Sequence, residues 1–211
     1  MSIVPAATMA NASGTDEANV AEAAEVHQME KMLPFVQEIG GMVAADQFVR
    51  LTFMDMRKSE ALSAEERAAL DEAIGAYIDR VDEANTARLK ELLKKVSWAE
   101  LADIKPDIAS DAWTIVQHSD DTDFQLKTLE DIKPLVLKGK MHGSAYANMF
   151  DRIAKRQGRK QTYGTQSACE NGQIVSYEIE DTENVDARRK SLGLEPLEDY
   201  LQQLRDMYSP C

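Results

Sequence analysis

Residues 63–96, SAEERAALDEAIGAYIDRVDEANTARLKELLKKV, decide the fold class. Ser63-Ala-Glu-Glu66 is a capping box: the serine side chain can accept from the third helical N–H while the glutamate reaches back. Leu70, Ile74, Tyr77, Ile78, Val81, Leu89, Leu92 and Leu93 then recur at a period near 3.6, with charged residues on the opposite face. With no proline and one glycine, Gly75, the stretch predicts a long amphipathic helix over about 64–96. At roughly 1.5 Å per residue it would approach 50 Å, and Asn85-Thr86 is the place for a kink or break.

The pattern continues on both sides. Upstream, Ser13 or Thr15 can cap a helix running to about Leu33, where Pro34 breaks or kinks it. A second helix is expected from Ala44 to Lys58, with Phe48, Leu51 and Met54 or Asp55 at helical spacing. Downstream, Pro106 and Asp107 start a helix to about Gln117, His118 to Asp121 forms a turn, and Asp121 or Thr122 caps a helix ending at Gly139. Ser144 opens another, stopped by Gly158 as a C-terminal glycine. Gln161–Ala168 and Gln173–Ile179 read as strands around Asn171-Gly172, a strong hairpin signal. Helices over about 182–192 and 196–207 finish the chain. The expected architecture is mainly α: a helical, bundle-like single domain over 15–211 with a C-terminal hairpin at about 161–179, preceded by a disordered segment 1–14.

The 211 residues carry 24 basic and 37 acidic side chains, a formal charge of −13. An acidic surface repels nucleic acid, so none is expected as partner. No apolar run approaches the roughly 20 residues of a membrane span, so no membrane insertion is expected. Ala10-Asn11-Ala12 has the form of a signal-peptidase site behind the apolar Ile3–Ala10, and reads either as the tail of a signal peptide or as a disordered cytosolic N-terminus. Cys169 and Cys211 both sit in loop-like surroundings and form a disulfide candidate. Together these favour a periplasmic or secreted location over a cytoplasmic one.

P-loop, dinucleotide-binding, zincin and nucleophile-elbow motifs are absent, as is C-x-x-C. No cofactor is implied, and the two histidines His118 and His142 with Asp151 are too loosely arrayed for a metal site to be assigned. The chemistry-bearing residues concentrate between Trp113 and Gln166. His118 ends an apolar helix and is followed by Asp120; a carboxylate beside an imidazole fixes its tautomer and suits a general base. The bland alternative is a histidine complementing a helix C-terminus. Arg152, with Lys155, Arg156, Arg159 and Lys160, forms a basic island in an acidic chain, either an anion-binding face or a complement to the helix end. Gln161-Thr-Tyr-Gly-Thr-Gln166 offers many donors and acceptors and little apolar surface, as a pocket wall or as a hydrogen-bonded corner with Gly164 at positive φ.

Trp113-Thr-Ile-Val-Gln-His118, Asp123-Phe-Gln125, Asp151-Arg152, Gly158 and Gln161-Thr-Tyr-Gly-Thr-Gln166 together resemble a bacterial family known as a domain of unknown function, over roughly residues 80–200. Ser119 stands where that family has alanine, and Val96-Ser97-Trp98 replaces a Gly-Trp-Pro turn. The resemblance implies a shared polar constellation, and no reaction comes with it. On these residues, His118, Asp151 and Asp120 are catalytic candidates; Arg152, Gln161, Tyr163, Gln166, Gln117 and Trp113 are ligand-binding candidates. Three functions compete: a small acid–base hydrolase or lyase acting on an anionic small molecule or peptide, a non-catalytic ligand- or protein-binding module, and a structural hydrogen-bond network. The oligomeric state has no signature in the sequence.

Overall fold

A computed structural model describes residues 12–57, 59, 61–104 and 106–208. The expected segment 1–14 falls largely outside them, as do Ala10-Asn11 and Cys211. By internal contacts the chain divides into Met1–Glu38 and Ile39–Cys211.

Helix α1 (Ala12–Arg57) runs unbroken through Pro34, where two helices were expected. A helical proline removes one hydrogen bond and crowds the carbonyl four residues back, about 3 kcal/mol. That penalty is local, and here the helical bonds on either side outweigh it. The face assignment also differs. Phe48 and Leu51 are exposed while Ile39 and Asp46 are buried, so the 39–57 portion turns a partly polar side inward. It is tied to α2 (Ala64–Leu93) by Arg50, which bonds Asp82, and by Asn85 Nδ2, which donates to the Met42 carbonyl at 3.4 Å. The Ser63 capping box forms as read, and α2 continues through Asn85-Thr86 without interruption.

A short helix was not anticipated: α3 (Trp98–Ile104). Its signal was present as a second capping box, with Glu100 N–H donating to Ser97 Oγ and Ser97 N–H to Glu100 Oε2. Helix α4 (Pro106–His118) is the centre of the larger unit. Ile108, Ala109, Ala112, Ile115 and Val116 are all buried, and α4 packs on α2, α3, α5 (Thr122–Leu137) and α6 (Gly143–Arg156). Asp121 caps α5, its Oδ1 accepting from Phe124 N–H at 2.9 Å.

Past α6 the chain turns at Gly158 (φ +69°), where Arg159 N–H reaches the Ala154 carbonyl at 2.8 Å. The hairpin is shorter than its sequence runs: β1 (Ser167–Glu170) pairs antiparallel with β2 (Gln173–Ser176) through Asn171 (φ +52°) and Gly172 (φ +79°). Residues 161–166 form a loop instead, joined to Ile179 by one bridge from Gln161. A 3₁₀ turn Thr182–Asn184, α7 (Val185–Ser191) and α8 (Leu197–Tyr208) follow, α8 packing on β2. No helix among the described residues is long and apolar enough to cross a membrane.

Candidate functional site around His118

The apolar stripe of α4 drives Ile115 and Val116 into the core and leaves His118 on the last turn, with 19% of its side chain exposed. Its Nδ1 lies 3.1 and 3.0 Å from the two carboxylate oxygens of Asp46 on α1, which is only 2% exposed. Among the described residues the ring makes no other hydrogen bond. Asp46 also accepts from Arg50 Nε at 2.9 Å and Gln47 Nε2 at 2.7 Å. Arg50 Nη2 bonds both oxygens of Asp82 at 2.5 Å.

Burial opposes the charge on both acids, with different outcomes. For Asp46 it is outweighed by the Arg50 hydrogen bond, by His118 and by Gln47, so the carboxyl is held below its ordinary range. For Asp82 burial prevails over Arg50, and its pKa is raised. Burial likewise works against the Arg50 cation, but its bonds to Asp82 and Asp46 raise its pKa overall. Asp46, Asp82 and His118 each offer a ligand atom within 4.8 Å of the others, as a metal site would require. The cation standing between the two carboxylates is Arg50 itself.

The sequence-derived partners of His118 lie elsewhere. Asp151 is wholly buried, and its oxygens bind the 161–166 loop: Oδ1 accepts from Thr162 N–H at 2.8 Å and Tyr163 N–H at 3.1 Å, Oδ2 from Thr165 N–H at 2.9 Å and Thr165 Oγ1 at 3.0 Å. Gln161 is equally engaged, donating to the carbonyls of Gln166 (2.9 Å) and Tyr177 (3.0 Å) and accepting from Gln166 N–H. Gln166 Nε2 bonds Thr165 Oγ1 at 3.2 Å. Tyr163 sets its ring edge-on to Tyr146 and Phe150, and its carbonyl accepts from Arg189 at 2.8 Å. Gly164 has φ +71° as expected, and a Cβ there would meet Ile179 and Leu197 at 2.7 Å. This half of the constellation is a self-satisfied corner, and no hydrogen bond among the described residues joins it to His118.

Arg152 leaves the corner in the other direction. Its Nη1 lies 3.5 Å from the carbonyl of Gln117, the residue before His118, and it has no carboxylate partner among the described residues. Burial, with Arg156 nearby, lowers its pKa. Trp113, one turn back from Gln117, has a buried indole N–H without a partner among the described residues. Asp120 is exposed on the turn after His118 and lines a cavity with Asp82. Cys169 on β1 is not a free thiol; its proposed partner Cys211 lies outside the described residues.

A model for a family of unknown function, DUF6624, matches residues 34–210. The chain belongs to this family. The family region starts ahead of Asp46 and so takes in Asp46, Arg50, Asp82 and His118 as well as the Asp151 corner. No curated protein and no solved structure matches the chain.

Asp46, Arg50 and Asp82 escaped the sequence reading. The spacing of Asp46 and Arg50 is a helical ion-pair spacing, but such pairs are common on solvated faces and carry no mark of burial. Only an inward-facing polar side of α1 makes them a site.

Proposed function

We propose that this protein is a small acid–base enzyme, a hydrolase or lyase, in which His118 transfers the proton, Asp46 orients it and Arg152 holds a substrate anion. The observation that carries the reading is the buried Asp46 carboxylate against Nδ1, with no protein partner on Nε2 among the described residues. Asp46 accepts the Nδ1 proton, which places the lone pair on Nε2. When Nε2 takes a proton, the imidazolium gains the same carboxylate as counter-ion. Asp46 thus takes the orienting role that sequence reasoning gave to Asp151 or Asp120. Arg152 remains the cation for an anionic group, because its guanidinium approaches the end of α4 and no carboxylate among the described residues neutralises it.

A structural reading is favoured for the other half of the constellation. Asp151 and Gln161 are buried, and the loop groups they bond fix the corner between α6 and the hairpin. Gln161 and Gln166 accordingly drop out as donors to substrate.

The test is a panel of p-nitrophenyl esters and phosphate esters with parent, His118→Gln and Asp46→Asn proteins. Proton transfer by a positioned group contributes about 10²–10⁴-fold, so His118→Gln should lose that much turnover with little change in melting temperature. Nitrogen-15 spectra should show the Nδ1-protonated tautomer in the parent. A folded His118→Gln that turns over as fast as the parent refutes the assignment.

A further inference from the structure

Arg50 stands between two acids, and the way its guanidinium is shared decides what Asp46 has left for His118. An arginine fork closes readily on one carboxylate through the N–H groups of a single edge, Nε and Nη2. Here that edge is split. Nε donates to Asp46 Oδ1 on α1 at 2.9 Å, while Nη2 donates to both oxygens of Asp82 on α2 at 2.5 Å. Gln47 Nε2 donates to Asp46 Oδ2 at 2.7 Å. Asp46 therefore receives one edge of the fork in part, and its oxygens keep room for His118 Nδ1 at 3.1 and 3.0 Å. The side chains of Asp46, Arg50, Asp82 and His118 are 2%, 25%, 17% and 19% exposed, so water is a poor substitute for any of these bonds.

We infer that Asp82 is a positioning residue for His118: by holding Arg50 Nη2 it keeps the guanidinium from closing on both oxygens of Asp46, and so preserves the carboxylate that fixes the imidazole with its proton on Nδ1. The inference rests on the Asp46–His118 pairing used in the proposed function. Released from Asp82, the Nη2 group would swing onto Asp46 Oδ2, and a bidentate guanidinium outcompetes a neutral ring N–H for the same oxygens. The rival role for Asp82 is a plain tie between α1 and α2. A second ion pair joins the same two helices, Arg57 Nε to Asp71 Oδ1 at 3.1 Å, and it shares no residue with the Asp46 network. The two roles therefore separate by experiment.

The experiment is two-bond proton–nitrogen correlation of the nitrogen-15-labelled full chain at about pH 9, where an imidazole of ordinary pKa, about 6.5, is neutral. His118 is assigned by its absence from the His118→Gln spectrum. The parent should show Nδ1 protonated and Nε2 bare. Asp82→Ala releases Arg50 and should cut the ratio of the Nδ1–H to the Nε2–H tautomer about tenfold, the equivalent of one hydrogen bond to a charged group. Asp82→Asn keeps one acceptor for Nη2 and should fall between the two. Asp71→Ala, which removes the other tie, should leave the tautomer as in the parent. An unchanged tautomer in folded Asp82→Ala overturns the inference and leaves the proposed function standing, whereas a parent without the Nδ1–H form overturns both. A loss in Asp71→Ala as large as in Asp82→Ala also overturns the inference, because loosening of α1 against α2 then accounts for it. If Asp82→Ala does not fold, Asp82→Asn decides alone: a parent-like tautomer in that variant overturns the inference.

Discussion

Replacing Asp151 by asparagine asks what the most buried acid of the larger unit does. Its two oxygens accept three backbone N–H groups and one hydroxyl from residues 162–165. Asparagine can keep one oxygen, and with it the bonds from Thr162 and Tyr163, but its NH₂ then faces the Thr165 N–H, donor against donor. The Thr165 hydroxyl has another acceptor in the Ala147 carbonyl at 3.5 Å, while its N–H has none. The change removes a bond to a charged acceptor worth about 1.5–3 kcal/mol, weakens two others, and leaves a buried donor unpaired at about 1–3 kcal/mol. Relief from burying a charge returns part of this. A net loss of about 3 kcal/mol is expected, or roughly 6–12 °C in melting temperature for a domain of this size. Urea unfolding followed by circular dichroism measures it, and hydrogen exchange should show the Thr165 amide losing protection first. Asp120→Asn, at an exposed and unpaired position, should stay within about 0.5 kcal/mol. An Asp151→Asn protein within about 1 kcal/mol of the parent would refute the anchoring role.

Gly143→Ala should be among the most damaging single-methyl additions, because its Cβ would clash with the Leu192 carbonyl oxygen and backbone would have to move; we expect a loss of about 2 kcal/mol or more by urea unfolding, whereas Gly75→Ala, inside α2 with nothing near its Cβ, should stabilise by about 0.5–1 kcal/mol. The Tyr163 phenol is pushed up to about 12 from 10.0, chiefly by burial and then by Tyr146 and Asp151. A raised pKa means the folded state keeps the proton longer than the unfolded chain. The stabilisation is therefore fully present below pH 10 and disappears as pH rises toward about 12, and Tyr163→Phe should flatten that alkaline decline in a thermal melt series. Together with the His118→Gln experiment, these separate anchoring from proton transfer, because each variant touches a different set of groups.

The sequence by itself determined whatever is written within a turn or two of chain. The Ser63 capping box, the Asp121 cap, the Asn171-Gly172 hairpin turn and the positive φ of Gly158 and Gly164 all formed as read, because their hydrogen bonds and dihedrals involve close neighbours. The Pro34 break did not appear, since one lost bond is a local penalty within a long run of bonds. Tertiary structure alone decided which acid meets His118. Asp46 is 72 residues away, and two acids nearer in sequence, Asp120 and Asp151, looked equally able to serve. Which side of α1 faces inward and which way Asp151 and Arg152 diverge from adjacent positions on α6 both follow from how helices pack. Packing is set by the summed fit of many side chains, and no single residue type announces it.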